Sequence, residues 1–167
     1  MAKSGRVKLS ETIEQRWGEL LASVEGLSDE EMLEPGVVGD WSVKDILAHV
    51  TTWELEARKH LPEIAAGKPQ QRYKDVYGGL DAFNALKFGE NRARSLSEVR
   101  SRLTEVHAEL LDYLETVPDD LLHSREQFRT RLRWDTYSHY PIHAAHIQEW
   151  RAGFKRDQGP GIGASHK

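Results

Sequence analysis

The sequence predicts an all-α protein, a single small helical bundle, and three observations carry that prediction. Apolar residues recur at three- and four-residue spacing over four long segments. Ser-x-x-acid capping boxes open two of those segments. No stretch shows the alternation of a half-buried strand. At 167 residues the chain is long enough to bury one core without disulfides, and it contains no cysteine to make any.

The first helix is expected from near Ser10, with Ile13, Trp17, Leu20, Leu21 and Val24 on one face and Gly26 as its stop. Leu27 to Gly39 reads as a connection with one turn of helix around Glu30 to Leu33. The second helix has the clearest start, because Ser42 caps the backbone and Asp45 returns the bond, with Trp41 and Ile46 placed to staple the entry. Its stripe of Val43, Ile46, Leu47, Val50, Trp53 and Ala57 runs on to about Ile64, with Pro62 a point of bending or earlier termination. Residues 65–79 hold Gly67, Pro69, Gly78 and Gly79, a longer connection than antiparallel neighbours need and suited to a crossover.

A short helix over Leu80 to Arg92 precedes the third long one. Ser95 and Glu98 box its start, Val99, Leu103, Val106, Leu110 and Leu114 share one face, and it ends near Val117 and Pro118. The last helix is predicted from about Asp135 to about Lys155, bending at Pro141, with Ile142, Ile147, Trp150 and Phe154 buried. Residues 1–156 then form one domain and 157–167 a disordered tail.

Composition narrows the function classes. Net charge is −4 and the Lys and Arg residues are spread along the chain, which argues against nucleic acid as a partner. No apolar run approaches the roughly 20 residues of a membrane span, and Met1 to Arg6 lacks the apolar stretch of a signal peptide, so no membrane contact and a cytoplasmic location are expected. Without cysteine, any metal must be held by His, Asp or Glu.

His139, His143 and His146 fall at offsets of four and three and share one stripe of the last helix with Ile142, Trp150 and Phe154. Imidazoles in the middle of a core-facing stripe lose hydration and need partners, and one metal ion satisfies two at once. His49, at the edge of the second helix's stripe, reaches toward a neighbouring helix, and three protein ligands with a free position make the catalytic type of site. Two pairings on the last helix stay open. A helix that bends at Pro141 supplies His139 and His143; one that starts at Pro141 leaves His139 outside and supplies His143 and His146. His107 reads as a satisfied core or boundary histidine, and His60, His123 and His166 as surface residues. Asp45 is accounted for by capping. Glu56, two turns beyond His49, is either an outer partner of the site or an ordinary solvated residue.

The run from Gly39 to His49, Gly-Asp-Trp-Ser-Val-Lys-Asp-Ile-Leu-Ala-His, resembles the signature opening helix two of the DinB/YfiT-like four-helix-bundle superfamily. His139-Tyr140 followed by His143, Ile147, Trp150 and Arg151 resembles the final helix of its ClbS/DfsB branch, and the likeness extends loosely from about Leu9 to Arg151. The resemblance implies an up-down-down-up bundle with a long crossover between helices 2 and 3. It also implies a metal triad whose positions match His49, His139 and His143, with His146 beside it where many relatives carry glutamine. The cofactor expected is one divalent metal ion, for which zinc, nickel, iron and manganese are all compatible with imidazole.

Three functions follow as expectations. The first is a metal-dependent enzyme acting on a small electrophilic molecule, by hydrolysis or by transfer of a thiol supplied from outside, in detoxification or self-resistance. The second is a protein that sequesters a small or stress-related molecule without turnover. The third is a helical interaction module, with a homodimer suggested by family analogy although no heptad seam demands one.

Overall fold

The computed structural model describes residues 4–157. Of the tail expected from residue 157, only Asp157 is described, as the last residue of the final helix; residues 158–167, His166 among them, lie outside the described residues. The described residues are all-α, with one isolated bridge between Val38 and Trp41.

Helix α1 (Gly5–Val24) starts earlier than apolar spacing indicates, because Ser4 caps it by accepting from the Val7 amide. Arg6 in its first turn donates to the Leu114 carbonyl at 2.7 Å and to the Val117 carbonyl, tying α1 to the end of the third long helix. Ile13 and Leu20 are fully buried, whereas Leu21 faces solvent. Helix α2 (Asp29–Leu33) is the expected single turn, boxed by Ser28 and Glu31. Gly39, at φ 54°, then folds the chain back so that the Trp41 amide donates to the Val38 carbonyl, setting Trp41 at the entry to the next helix.

Helix α3 (Val43–Ala65) is boxed by Ser42 and Asp45 as expected and runs through Pro62 without ending there. Its C-terminal carbonyls find a donor in Arg125, which bonds the Ile64 and Ala65 oxygens. The connection over residues 66–95 holds α4 (Tyr73–Tyr77) and α5 (Leu80–Arg92), and α5 has the predicted bounds. Helix α6 (Leu96–Thr116) follows the Ser95–Glu98 box.

Three elements were not predicted: α4 within the crossover and, after α6, the pair α7 (Asp119–Ser124) and α8 (Glu126–Asp135). The presence of α7 and α8 corrects the reading of the last helix. The chain breaks at Thr136 (φ −131°, ψ −104°), turns over residues 136–139, and restarts as α9 (Tyr140–Asp157). Pro141 therefore sits in a first turn, where a missing amide donor costs nothing, and it bends no helix. The shift also rotates the buried face: Tyr140, His143, Ala144 and Ile147 point inward, while Ile142, expected in the core, is 47% exposed.

Helix α3 is the centre of the assembly. It packs on α6, with α5 and α8 also against it, while α1 and α9 pack on each other. Ile46, Leu47, Leu61, Leu110, Leu132 and Ile147 fill the core between them.

Candidate metal centre

The capping box fixes the start of α3 and so the direction in which His49 leaves it, two turns on. Trp41 lies edge-on to the His49 ring, with centroids 5.1 Å apart, and is itself stacked on Phe88. Across from α3, the turn that ends in His139 and the first turn of α9, with His143, deliver two more imidazoles. The His49 Nε2 and His139 Nε2 atoms are 3.1 Å apart, and the His139 Nε2 and His143 Nε2 atoms 2.8 Å. Of the two pairings left open by the sequence, the structure gathers His139 and His143 around His49. A helix starting at Pro141 was expected to leave His139 outside and so remove it from the site, and α9 starts one residue earlier, at Tyr140. His139 is not lost, because it holds the position just before the helix, its carbonyl accepting from the His143 amide at 3.5 Å, with its ring still on the His143 side. His146 stays beside the cluster, its ring 5.6 Å from that of His143.

Burial holds the three rings neutral. It pushes the pKa of His49 down to about 4, that of His139 to about 3 and that of His143 to about 2, the neighbouring histidines adding to the effect for the latter two. A neutral imidazole carries one N–H and one lone pair. Three Nε2 atoms converge here, while the Nδ1 atoms of His139, His143 and His146 are buried without a hydrogen-bond partner. Whichever nitrogen carries the proton, a buried polar atom is left unpaired or two donors face each other. A cation accepting the Nε2 lone pairs relieves the conflict at those nitrogens and leaves the proton of each ring on Nδ1. Ring nitrogens each about 2.0–2.1 Å from one ion lie about 3 Å apart in adjacent positions, which is the separation found for the His49–His139 and His139–His143 pairs. The donor set fits a divalent ion.

The pH response of the metal-free protein follows from these shifts. Unfolded imidazoles protonate near 6.5, whereas the folded rings resist protonation until about 4 and below. The stability associated with them is present above pH 6.5 and is lost as pH falls toward the folded values. Urea midpoints of chelator-treated protein are expected to drop between pH 7.5 and pH 5, and to drop less in a His49→Leu/His143→Leu variant; equal slopes in the two proteins would contradict this.

A cavity of about 760 Å³ opens beside His49 and His139. Trp53 and Tyr73 form apolar wall, and exposed Leu80 and Trp134 stand among its lining residues. Asn84 is aimed by the Trp53 indole, which donates to its Oδ1 at 3.2 Å. A second, smaller cavity of about 390 Å³ meets His49 and His143 from the side of Trp41 and Phe88, and Asn84 lines both.

The sequence reading missed several polar groups here. Arg131 donates from Nε to the Asp135 carboxylate at 2.5 Å and from Nη2 to the Tyr73 hydroxyl at 2.7 Å, and Tyr73 in turn donates to Glu56 at 2.5 Å. Burial raises the Asp135 pKa to about 7 despite the opposing Arg131 charge, so a carboxyl lining the cavity exchanges its proton near neutrality. Glu56 is buried in this network rather than solvated, and His60, expected at the surface, is inserted between Glu56 and Glu63. His107 is a core histidine, as expected, but only half satisfied: its Nδ1 bonds Glu54, while its Nε2 is buried without a hydrogen-bond partner. Spacing gave no sign of these partners, because Arg131 and Asp135 lie on the unpredicted α8. The spacing of Phe128 and Leu132 was the available signal for that helix.

The DinB superfamily model matches residues 12–149. This chain belongs to the DinB superfamily. Superfamily members are in general metal-binding, in keeping with the histidine cluster. Among solved structures, an uncharacterised protein from Escherichia coli UTI89 is similar with a TM-score of 0.74 at 15% identity, covering 92% of this chain and 96% of that one. The Sibling Lethal Factor Precursor DfsB has the same TM-score and identity, with 92% and 99% covered. The colibactin self-resistance protein ClbS, solved in complex with a dsDNA, gives 0.73 at 15% identity, with 90% and 98% covered. These likenesses establish a shared fold with the ClbS/DfsB branch. No curated protein sequence matches the chain.

The ClbS complex also corrects the exclusion of nucleic acid made from composition. A bundle of this fold is solved with duplex DNA. Net charge is a sum over the whole chain, whereas phosphate contacts depend on the few cations at the contact surface. As for membranes, no helix among the described residues is long and apolar enough to cross one.

Proposed function

We propose that His49, His139 and His143 hold one divalent metal ion at the head of the 760 Å³ cavity, and that the chain is a metal-dependent enzyme acting on a small electrophilic molecule in detoxification or self-resistance. The convergence of three neutral Nε2 atoms beside that cavity is the observation that supports this reading. A divalent ion at such a site polarises an electrophile and acidifies a bound water or thiol. The chain's own groups supply the remainder. Trp53 and Tyr73 exclude water and offer ring faces, Asn84 offers a fixed polar contact, and Asp135 takes up or returns a proton near pH 7 with Arg131 holding its carboxylate in place. Any thiol comes from outside, since the chain has no cysteine.

The test is product formation over a panel of electrophiles, epoxide, cyclopropane and activated ester, with and without added low-molecular-weight thiol, using metal-loaded protein. Turnover without thiol is expected for hydrolysis, and thiol-dependent turnover for transfer. Stoichiometric binding with no product would replace the enzyme by a sequestering protein.

A second reading, contact with duplex DNA, is favoured by the ClbS complex and by exposed Arg129, Arg133 and Trp134 on α8, the last at the cavity itself. Salt-dependent binding of a duplex oligonucleotide, weakened in an Arg129→Glu/Arg133→Glu variant, is the expected result in fluorescence anisotropy. Equal affinity of variant and wild type would remove α8 as the contact surface.

A further inference from the structure

Between α3, α6 and α9 lies a buried polar cluster that the proposed chemistry does not use. Glu54 is fully buried, and its Oε1 accepts from the Tyr140 hydroxyl at 2.5 Å and bonds His107 Nδ1 at 2.7 Å. Tyr140 is also fully buried, and the His107 ring is stacked on Trp17 with centroids 3.8 Å apart. Glu54 Oε2 and His107 Nε2 are buried without hydrogen-bond partners, so the core carries a polar group at real cost.

The place of the cluster in the fold suggests what that cost obtains. The metal triad draws His49 from α3 and His143 from α9, with His139 just before α9, yet α9 packs mainly on α1. The Glu54–Tyr140 bond joins α3 to α9 directly, five residues from His49 along α3 and one residue from His139. His107 adds a tie from α6 to the same carboxylate oxygen. Short local bonds set the remaining geometry of the turn: the His139 and Tyr140 amides donate to the Thr136 carbonyl at 2.7 Å and 3.0 Å.

We infer that Glu54, acting through Tyr140 and braced by His107, is a positioning residue that sets the separation between His49 and the His139–His143 pair, and so the affinity and geometry of the metal site. This rests on the triad being the metal site. A hydrogen-bonded brace of this kind resembles the outer partners of metal ligands, whose loss typically lowers metal affinity by about 10–100-fold, but here it acts through a neighbouring residue of the backbone rather than through a ligand's own ring.

Tyr140→Phe removes one hydroxyl and keeps the ring that fills the core. Its cobalt(II) affinity, measured by chelator competition on the full chain, is expected to fall by about tenfold or more, with a changed cobalt absorption spectrum. Glu54→Gln in the otherwise wild-type chain retains an acceptor for the Tyr140 hydroxyl and is expected to keep most of the affinity and the wild-type spectrum. The melting temperature of each metal-free variant, read in parallel, separates aim from stability. A Tyr140→Phe protein with wild-type affinity and spectrum overturns the inference, whatever its melting temperature. If the wild-type chain takes up no cobalt, the metal site itself fails and this inference with it; if the wild type binds and Tyr140→Phe binds identically, only the inference fails.

Discussion

Replacing His49 and His139 together by alanine is expected to reduce bound divalent metal from about one ion per chain to none detectable, while leaving a folded bundle. The two rings come from different elements and supply two of the three nitrogens gathered within 4.8 Å of one another. His143 and the neighbouring His146 would remain, but His146 lies outside that group, its ring 5.6 Å from that of His143. Folding should survive, because both removed side chains are only partly buried and each leaves the space of an open cavity rather than a hole in the core. His146→Ala alone is expected to retain the metal. The measurement is elemental analysis of protein purified without a nickel column, with circular dichroism as the control for folding. Metal retained at wild-type stoichiometry in the double variant would remove the triad from consideration.

The second large effect is expected at Phe83, which holds the connection between α3 and α6 onto the bundle. It is fully buried, whereas the rest of α5 is part-buried or exposed, with ring centroids 5.3 Å from Trp53, 4.9 Å from Tyr73 and 4.9 Å from Tyr77. Truncating a buried phenylalanine costs about 3–5 kcal/mol, and here most of that loss falls on one segment, since Phe83 is the one buried side chain of α4 and α5. Amide exchange in residues 73–92 of Phe83→Ala should therefore rise well above that of α3 and α6. The functional consequence is loss of the cavity wall that Tyr73, Leu80 and Asn84 form, so ligand affinity should fall even where metal content is unchanged. A loss under about 1 kcal/mol with unchanged exchange would show that the segment is held by other contacts.

What the sequence made legible is local chemistry. Ser42 with Asp45, and Ser95 with Glu98, announce helix starts because donor and acceptor lie three residues apart, and the structure has both boxes. The stripe from Val43 to Ala57 placed His49 at an edge for the same reason. The start of the last helix was not legible, because the break at Thr136 carries neither glycine nor proline, while Pro141, the residue that drew attention, is harmless in a first turn. The residues 119–135 are so rich in charge that their helices show little apolar pattern, and with α8 went Arg131 and Asp135.

The candidate ligands follow the same division. Three histidines at helical spacing were visible, and the family likeness singled out His139 and His143 with His49, which are the ones the fold brings together. Their surroundings were not visible. Glu54 meets Tyr140 across 86 positions and His107 across 53, and Tyr73 meets Arg131 across 58, pairings that only tertiary packing creates. Glu56 illustrates the limit well: its sequence context is that of a solvated helix face, and it is buried because α4 and α8 cover it with Tyr73 and Arg131.

The most direct test of the central claim is the metal's coordination in crystals of protein purified without a nickel column, read from anomalous scattering at the absorption edge of the element found by elemental analysis. The account predicts a single anomalous peak per chain within bonding distance, about 2.0–2.2 Å, of the Nε2 atoms of His49, His139 and His143. A chain with no stoichiometric metal, or a peak held by His143 and His146 without His49, would contradict it.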